Sequence, residues 1–181
     1  MKPLESKKNS QKIKFIAIYG LFAALAIVVS YIERLIPMPI PLPGIKIGLA
    51  NIVVLMGLML FGARTAFSLS IIRIVAVGFL FGSVFSIIYS LAGGLFALLF
   101  MIFGKRAKIF GIVGISVLGG VFHNIGQIIV AIIILQTPSL MFYLPVLIIA
   151  GCVTGFLIGL VAGHSVLRLR TTPSLKGPRT F

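Results

Sequence analysis

Apolar residues run in long blocks along this chain rather than recurring on one face of each segment, and the breaks between blocks are short. About 20 consecutive apolar residues are what a helix needs to cross a bilayer. The pattern predicts six such spans, at 14–32, 45–61, 65–80, 83–103, 109–135 and 142–167. A basic tail (1–13) precedes this membrane domain (14–167) and another (168–181) follows it. The first block is too long for the apolar part of a cleaved leader and lacks a small-x-small cleavage site, so it is expected to remain as the first span. Four prolines in ERLIPMPIPLPGIK, Glu33–Lys46, forbid a continuous helix there and predict a stiff external cap.

Composition narrows the class further. Of the 181 residues, 60% are hydrophobic and only 10% charged, too few to cover a water-facing surface. Mean hydropathy is +1.23. A net charge of +14 is common in nucleic-acid binders, but no basic stripe interleaves with aromatics, so no nucleic-acid partner is expected. The cations border apolar blocks instead, as in a protein whose cytoplasmic loops retain Lys and Arg. With the N-terminus inside, thirteen of the sixteen basic residues lie on the inner side. The expectation is an all-α, multi-pass protein of the cytoplasmic membrane: a six-transmembrane-helix bundle with N- and C-termini in the cytoplasm. Cys152 is the sole cysteine, which rules out an internal disulfide.

Polar residues inside the apolar blocks are the candidate chemistry. Arg73 lies nine residues past Arg64, about 13 Å into a hydrocarbon layer about 30 Å thick. A charge at that depth costs roughly 3 kcal/mol and marks a functional site or a buried ion pair. Glu5 and Glu33 are the only acids, and Glu33 is the one plausible partner, for which Arg34 and Lys46 compete. The fifth block carries His123, Asn124 and Gln127, spaced i,i+4 and i,i+3 and so on one sector. Interhelical hydrogen bonding alone would account for any one of them. Together with Lys46 and Asn51 they lie between the midplane and the outer surface, at depths comparable to Arg73. An outward pocket suited to an anionic group is expected, with Glu33 at its rim. No metal site is expected, because His164 sits at the opposite end of the membrane from His123 and carboxylates are scarce. Nor is any cofactor.

Gly151, Gly155, Gly159 and Gly163 recur every fourth residue in the last span, a spacing that lets helix backbones approach closely. Packing within the bundle is favoured over a dimer. In the first span Ala17, Gly20, Ala23 and Ala24 form a looser small-residue face that suits a further membrane subunit.

PLPGIKIGLANIV (Pro41–Val53), RIVAVGFLFGSVFSIIYSLAGG (Arg73–Gly94), GGVFHNIGQ (Gly119–Gln127) and YLPVLIIAGCVTGFLIG (Tyr143–Gly159) resemble the Gx transporter family, also known as heptaprenyl diphosphate synthase component I. In size, helix number and small-residue first helix, that family is similar to substrate-binding S components of energy-coupling factor (ECF) transporters. The resemblance implies a solute-binding subunit that works with a transmembrane coupling subunit and ATPases, the first-helix small residues touching the coupling subunit. The synthase name implies instead a membrane component associated with quinone-precursor biosynthesis. Prenyl elongation needs Mg²⁺ held by aspartate-rich motifs, and the chain has no aspartate; it also has no GxxxxGK[ST] phosphate loop. An enzyme is therefore not expected. A stand-alone channel or scaffold fits the one-sided polar cluster less well.

The topology is directly testable. A fluorescent protein fused to either terminus is expected to be bright and alkaline phosphatase at the same positions inactive; active phosphatase at either end would overturn the orientation.

Overall fold

The structure, a computed structural model, describes residues 3–36 and 48–171; the proline-rich cap and Lys46 lie outside the described residues, as do the side chains of residues 3–8 and 11. Within them the chain is helical throughout: α1 (Pro3–Leu35), α2 (Asn51–Leu60), α3 (Ala63–Phe81), α4 (Val84–Ala107), α5 (Ile112–Leu135) and α6 (Leu144–Thr171), with a 3-10 turn at Pro138–Tyr143. The boundaries follow from local chemistry. α1 ends as the chain approaches Pro37, since a residue before proline is pushed out of the helical region. Gly62, at φ +96°, closes α2 by donating to the Gly57 carbonyl at 3.1 Å and begins α3 in the same step. Ser83 caps α4, its hydroxyl accepting from the Ser86 N–H at 3.2 Å.

Five of these helices are long and apolar enough to cross a membrane, and α2 is not. Its 10 residues span about 15 Å, half the hydrocarbon thickness, so of the second span read at 45–61 the described residues are helical only at 51–60, a half-helix. Composition alone hid this: the α2 region is apolar because it is enclosed, with Val53–Met59 all buried. The basic-tail segment 3–13, by contrast, joins α1, and α6 runs on to Thr171.

α2 is the hub. It is in contact with each of the five other α-helices, which surround it in the sequence of neighbours α1–α3–α4–α5–α6. Charges meet both of its ends. At the C-terminal end Lys105 Nζ donates to the Leu58 carbonyl at 2.6 Å and Arg170 Nη2 to the Met59 carbonyl at 3.3 Å. Those carbonyls are the negative pole of the helix, which cations stabilise. Phe61, just beyond, packs edge-on against Phe15 and Phe22 of α1. The C-terminal ends of α2, α4 and α6 and the N-terminal half of α1 thus share one end of the bundle, where basic side chains collect.

The surface is inverted relative to a water-soluble protein. Phe79, Ile109 and Phe142 stand outward, whereas Glu33, Asn51, Arg73, His123, Asn124 and Gln127 are all buried. Apolar groups face out where lipid is the solvent, and polar groups turn inward to partner one another. This is a multi-pass membrane protein.

α5 lies between α4 and α6 and packs closely on both. A Cβ on Gly155 would lie 2.8 Å from the Ser116 carbonyl oxygen, and one on Gly151 2.8 Å from that of Gly120. Gly159 lies similarly against Val113 of α5, whereas Gly163 meets only Ile112 at 3.9 Å. On α1, Ala17, Gly20 and Ala24 are exposed, a Cβ at Gly20 would meet nothing within 4 Å, and only Ala23 turns partly inward to the core.

These environments predict opposite outcomes for two glycines. Gly155→Val is expected to lose about 3 kcal/mol or more, because backbone on α5 cannot yield, while Gly20→Ala should change stability by no more than about 1 kcal/mol. Thermal melts of the purified variants in mild detergent measure both.

Candidate functional site

The N-terminus of α2 stops inside the bundle, where Asn51 and Ile52 donate to the Gly48 and Leu49 carbonyls at 2.9 and 3.0 Å, and the amides of the lead-in turn, Gly48–Ala50, need acceptors. Glu33, one turn from the end of α1, supplies them. Its carboxylate accepts from the N–H of Gly48, from that of Leu49 at 3.0 Å and from that of Ala50 at 3.5 Å. Gly48 has a φ of +88°, open to glycine at little cost, and turns the chain so that three successive amides face one carboxylate. The sequence offered Arg73, Arg34 and Lys46 as rivals for Glu33; the backbone amides of Gly48, Leu49 and Ala50, in the turn that leads into α2, hold it.

Arg73 occupies the middle of the 19-residue α3, about 15 Å from its start and about 12 Å from its end. Its Nη2 donates to Asn51 Oδ1 at 2.9 Å, at the first residue of α2. Asn51 thus stands between the guanidinium and the Glu33-bound amides. Arg73 Nε and Asn51 Nδ2 are buried with no hydrogen-bond partner among the described residues. So is the hydroxyl of Ser70, one turn before Arg73. Buried donors left unmade are costly, of order 1–3 kcal/mol each, and clusters of them are characteristic of functional sites.

Three glycines bring the remaining side chains in. A Cβ at Gly48 would lie 3.0 Å from Asn51 Nδ2 and 3.3 Å from His123 Cδ2. At Gly93 it would lie 2.9 Å from His123 Cε1 and 2.8 Å from Gln127 Cγ. The adjacent Gly94 leaves the same kind of space for Ser70 Oγ, at 3.1 Å, and Arg73 Nη2, at 3.8 Å. A side chain at any of these positions would crowd the cluster. α4 therefore passes between the α3 pair and the α5 pair without separating them. Glu33, Asn51, Arg73, His123 and Gln127, drawn from α1, α2, α3 and α5, form one continuous polar centre.

Asn124 does not join it. Successive helical residues point about 100° apart, and Asn124 faces α6, its amide donating to the Leu147 carbonyl at 2.7 Å. Lys46 lies outside the described residues. Reading the sequence also passed over Gly48, Gly93, Gly94 and Ser70. The Gly93-Gly94 pair inside an otherwise continuous helix was the available signal, since mid-helix glycines cost about 1 kcal/mol each and so call for a packing reason. Among the described residues no group of three or more His, Cys, Asp or Glu side chains is arranged to hold a metal ion.

In chemical terms the centre offers helix-terminal amides, a guanidinium and a carboxamide to an anion, and an imidazole and a second carboxamide to neighbouring polar groups. Half-helices whose N-termini end at mid-depth are a recurring way for membrane proteins to hold anionic solute groups.

The family model for heptaprenyl diphosphate synthase component I matches residues 22–165, which include α2 to α5, the C-terminal part of α1, most of α6 and every described residue of the polar centre. No curated protein and no solved structure matches significantly. Because the match covers most of the chain, the protein belongs to the heptaprenyl diphosphate synthase component I family, also called the Gx transporter family.

Proposed function

We propose that the chain is the solute-binding membrane subunit of an ECF-type transport system, taking a small anionic or amphipathic solute. The observation that carries this reading is the half-helix α2, ending beside Arg73 and Asn51 with two buried donors unmade among the described residues. A protein needing only to fold in lipid would be more stable with apolar residues there. Arg73 and Asn51 bind the anionic group, with Lys46, two residues before Gly48 in the sequence, as a further cation, and His123 and Gln127 orient the rest of the solute. Asn124 serves as a tie between α5 and α6.

Having no phosphate loop, the chain depends on separate ATPases and a transmembrane coupling subunit. The outward face of α1 bearing Ala17, Gly20 and Ala24 is suited to that subunit: these small residues are exposed among outward Ile13, Ile16 and Leu21, and nothing of the bundle lies within 4 Å of a Cβ at Gly20. The cytoplasmic membrane is the compartment.

The family description supports a second reading, a non-catalytic membrane component associated with a prenyl diphosphate synthase. Absence of any aspartate argues against this chain being the catalyst. Tagged purification in mild detergent, with mass spectrometry of co-eluting proteins and small molecules, separates the two. The transport reading predicts a coupling subunit, ATPases and an anionic small molecule; a synthase with no ATPase would replace it by the second.

Two substitution series test the assignments. Arg73→Ala and His123→Ala are expected to abolish solute retention, whereas Asn124→Ala should retain it and lose only about 1 kcal/mol of stability. Equal loss of solute in all three would remove the distinction between site and tie. Gly20→Leu is expected to leave the isolated subunit stable yet prevent its co-elution with the coupling subunit.

A further inference from the structure

The polar centre already holds an anion, and that anion belongs to the chain. Glu33 is buried, reaches the α2 N-terminus from the end of another helix, and uses both carboxylate oxygens: Oε1 toward Gly48 and Leu49, Oε2 toward Ala50. Three successive amides are thereby matched to the two oxygens of one planar carboxylate. The donors around it exceed what Glu33 uses. Asn51 Nδ2, at the edge of Gly48, and Arg73 Nε are both more than nine-tenths buried and lack partners among the described residues. A group that only capped a helix would need neither.

We propose that the N-terminus of α2, with Asn51 and Arg73, is a carboxylate-binding site which Glu33 fills from within the chain, and that the solute is a carboxylate that takes Glu33's place. This deepens the solute-binding reading given above and rests on it for the identity of the visitor. Exchange of one carboxylate for another keeps the charge at the site constant. The helix pole and the Arg73 guanidinium stay compensated in both states, and the displaced Glu33, two residues from the end of α1, moves out to water with that end, so neither state leaves a bare charge in a low-dielectric interior. A dianionic phosphate has no such equivalence with the group it would displace. As an intramolecular occupant, Glu33 acts at a high effective concentration and excludes weak, adventitious anions. Only a carboxylate with further contacts, to His123 and Gln127 among others, competes. Displacing Glu33 also frees the end of α1 from α2, so occupancy of the site is linked to the position of the helix whose outward face is open to a partner.

Removing the resident carboxylate tests the site without any transport partner. Glu33→Ala, Glu33→Gln and the unaltered protein are purified in detergent, and thermal melts are recorded in sodium formate, acetate, phosphate and chloride at equal ionic strength. Formate and acetate are expected to raise the Tm of Glu33→Ala by about 3 °C or more over chloride. Phosphate should do so less. The unaltered protein and Glu33→Gln, in which the site is filled, should not distinguish the salts. If Glu33→Ala yields no folded protein in chloride, its recovery as a monodisperse species in formate is the same positive result. Identical melting, or identical failure to fold, in formate and chloride overturns the proposal. That outcome would leave the transport reading standing, because it concerns only what the α2 terminus accepts; conversely, carboxylate rescue without any co-eluting ATPase would leave the site standing and remove the transporter.

Discussion

A ten-residue helix packed on five others begins inside the bundle, shut from water, and the charges that meet its two ends hold the fold together. Glu33 takes the amides of one end; Lys105 and Arg170 take carbonyls of the other. The three side chains come from α1, α4 and α6, so the capping of α2 also ties the ends of three outer helices to the centre. In lipid the alternative to these bonds is an exposed backbone dipole, which costs several kcal/mol per group. The same geometry that stabilises α2 creates its chemistry. A positive helix pole is carried into the bundle and placed next to Arg73.

Close helix packing makes room for this. α5 lies against α6 across Gly151, Gly155 and Gly159, and against α4 across Gly93, with α4 in turn reaching Arg73 across Gly94. Without a hydrophobic force between helices in lipid, such backbone approach supplies the dispersion contact that holds a membrane bundle. α1 is held differently, by aromatic contacts of Phe15 and Phe22 with Phe61, by Tyr31 against Phe81 and by Glu33. A helix joined to the site through Glu33, with an open outer face, is the element best able to answer a change there.

Much of this was legible in the sequence because lipid imposes simple rules. The long apolar blocks marked α1, α3, α4, α5 and α6, and nine residues between Arg64 and Arg73 were enough to place the guanidinium deep. The every-fourth-residue glycines signalled close packing without naming α5 as the surface they meet. The length of α2 was not legible, since an enclosed half-helix and a full span have the same apolar composition. Its true start depends on the positive φ of Gly48, a backbone property that an apolar run conceals. Glu33 was read as a partner for cations because charge-to-charge pairing is what side-chain lists reveal. Backbone amides do not appear in such lists, and three of them outweigh a single distant cation. Asn124 shows the limit of spacing arguments: three residues from Gln127, it still turns toward Leu147 of α6.

Hydrogen–deuterium exchange across residues 48–60, compared between the unaltered protein and Glu33→Gln, tests most directly whether charge capping of α2 organises the centre. The account predicts that these amides exchange slowly in the unaltered protein, and that Glu33→Gln speeds exchange at 48–54 by about tenfold or more while α5 and α6 keep their protection. Unchanged protection at the α2 N-terminus would contradict it, and would mean that enclosure by the outer helices alone holds the half-helix in place.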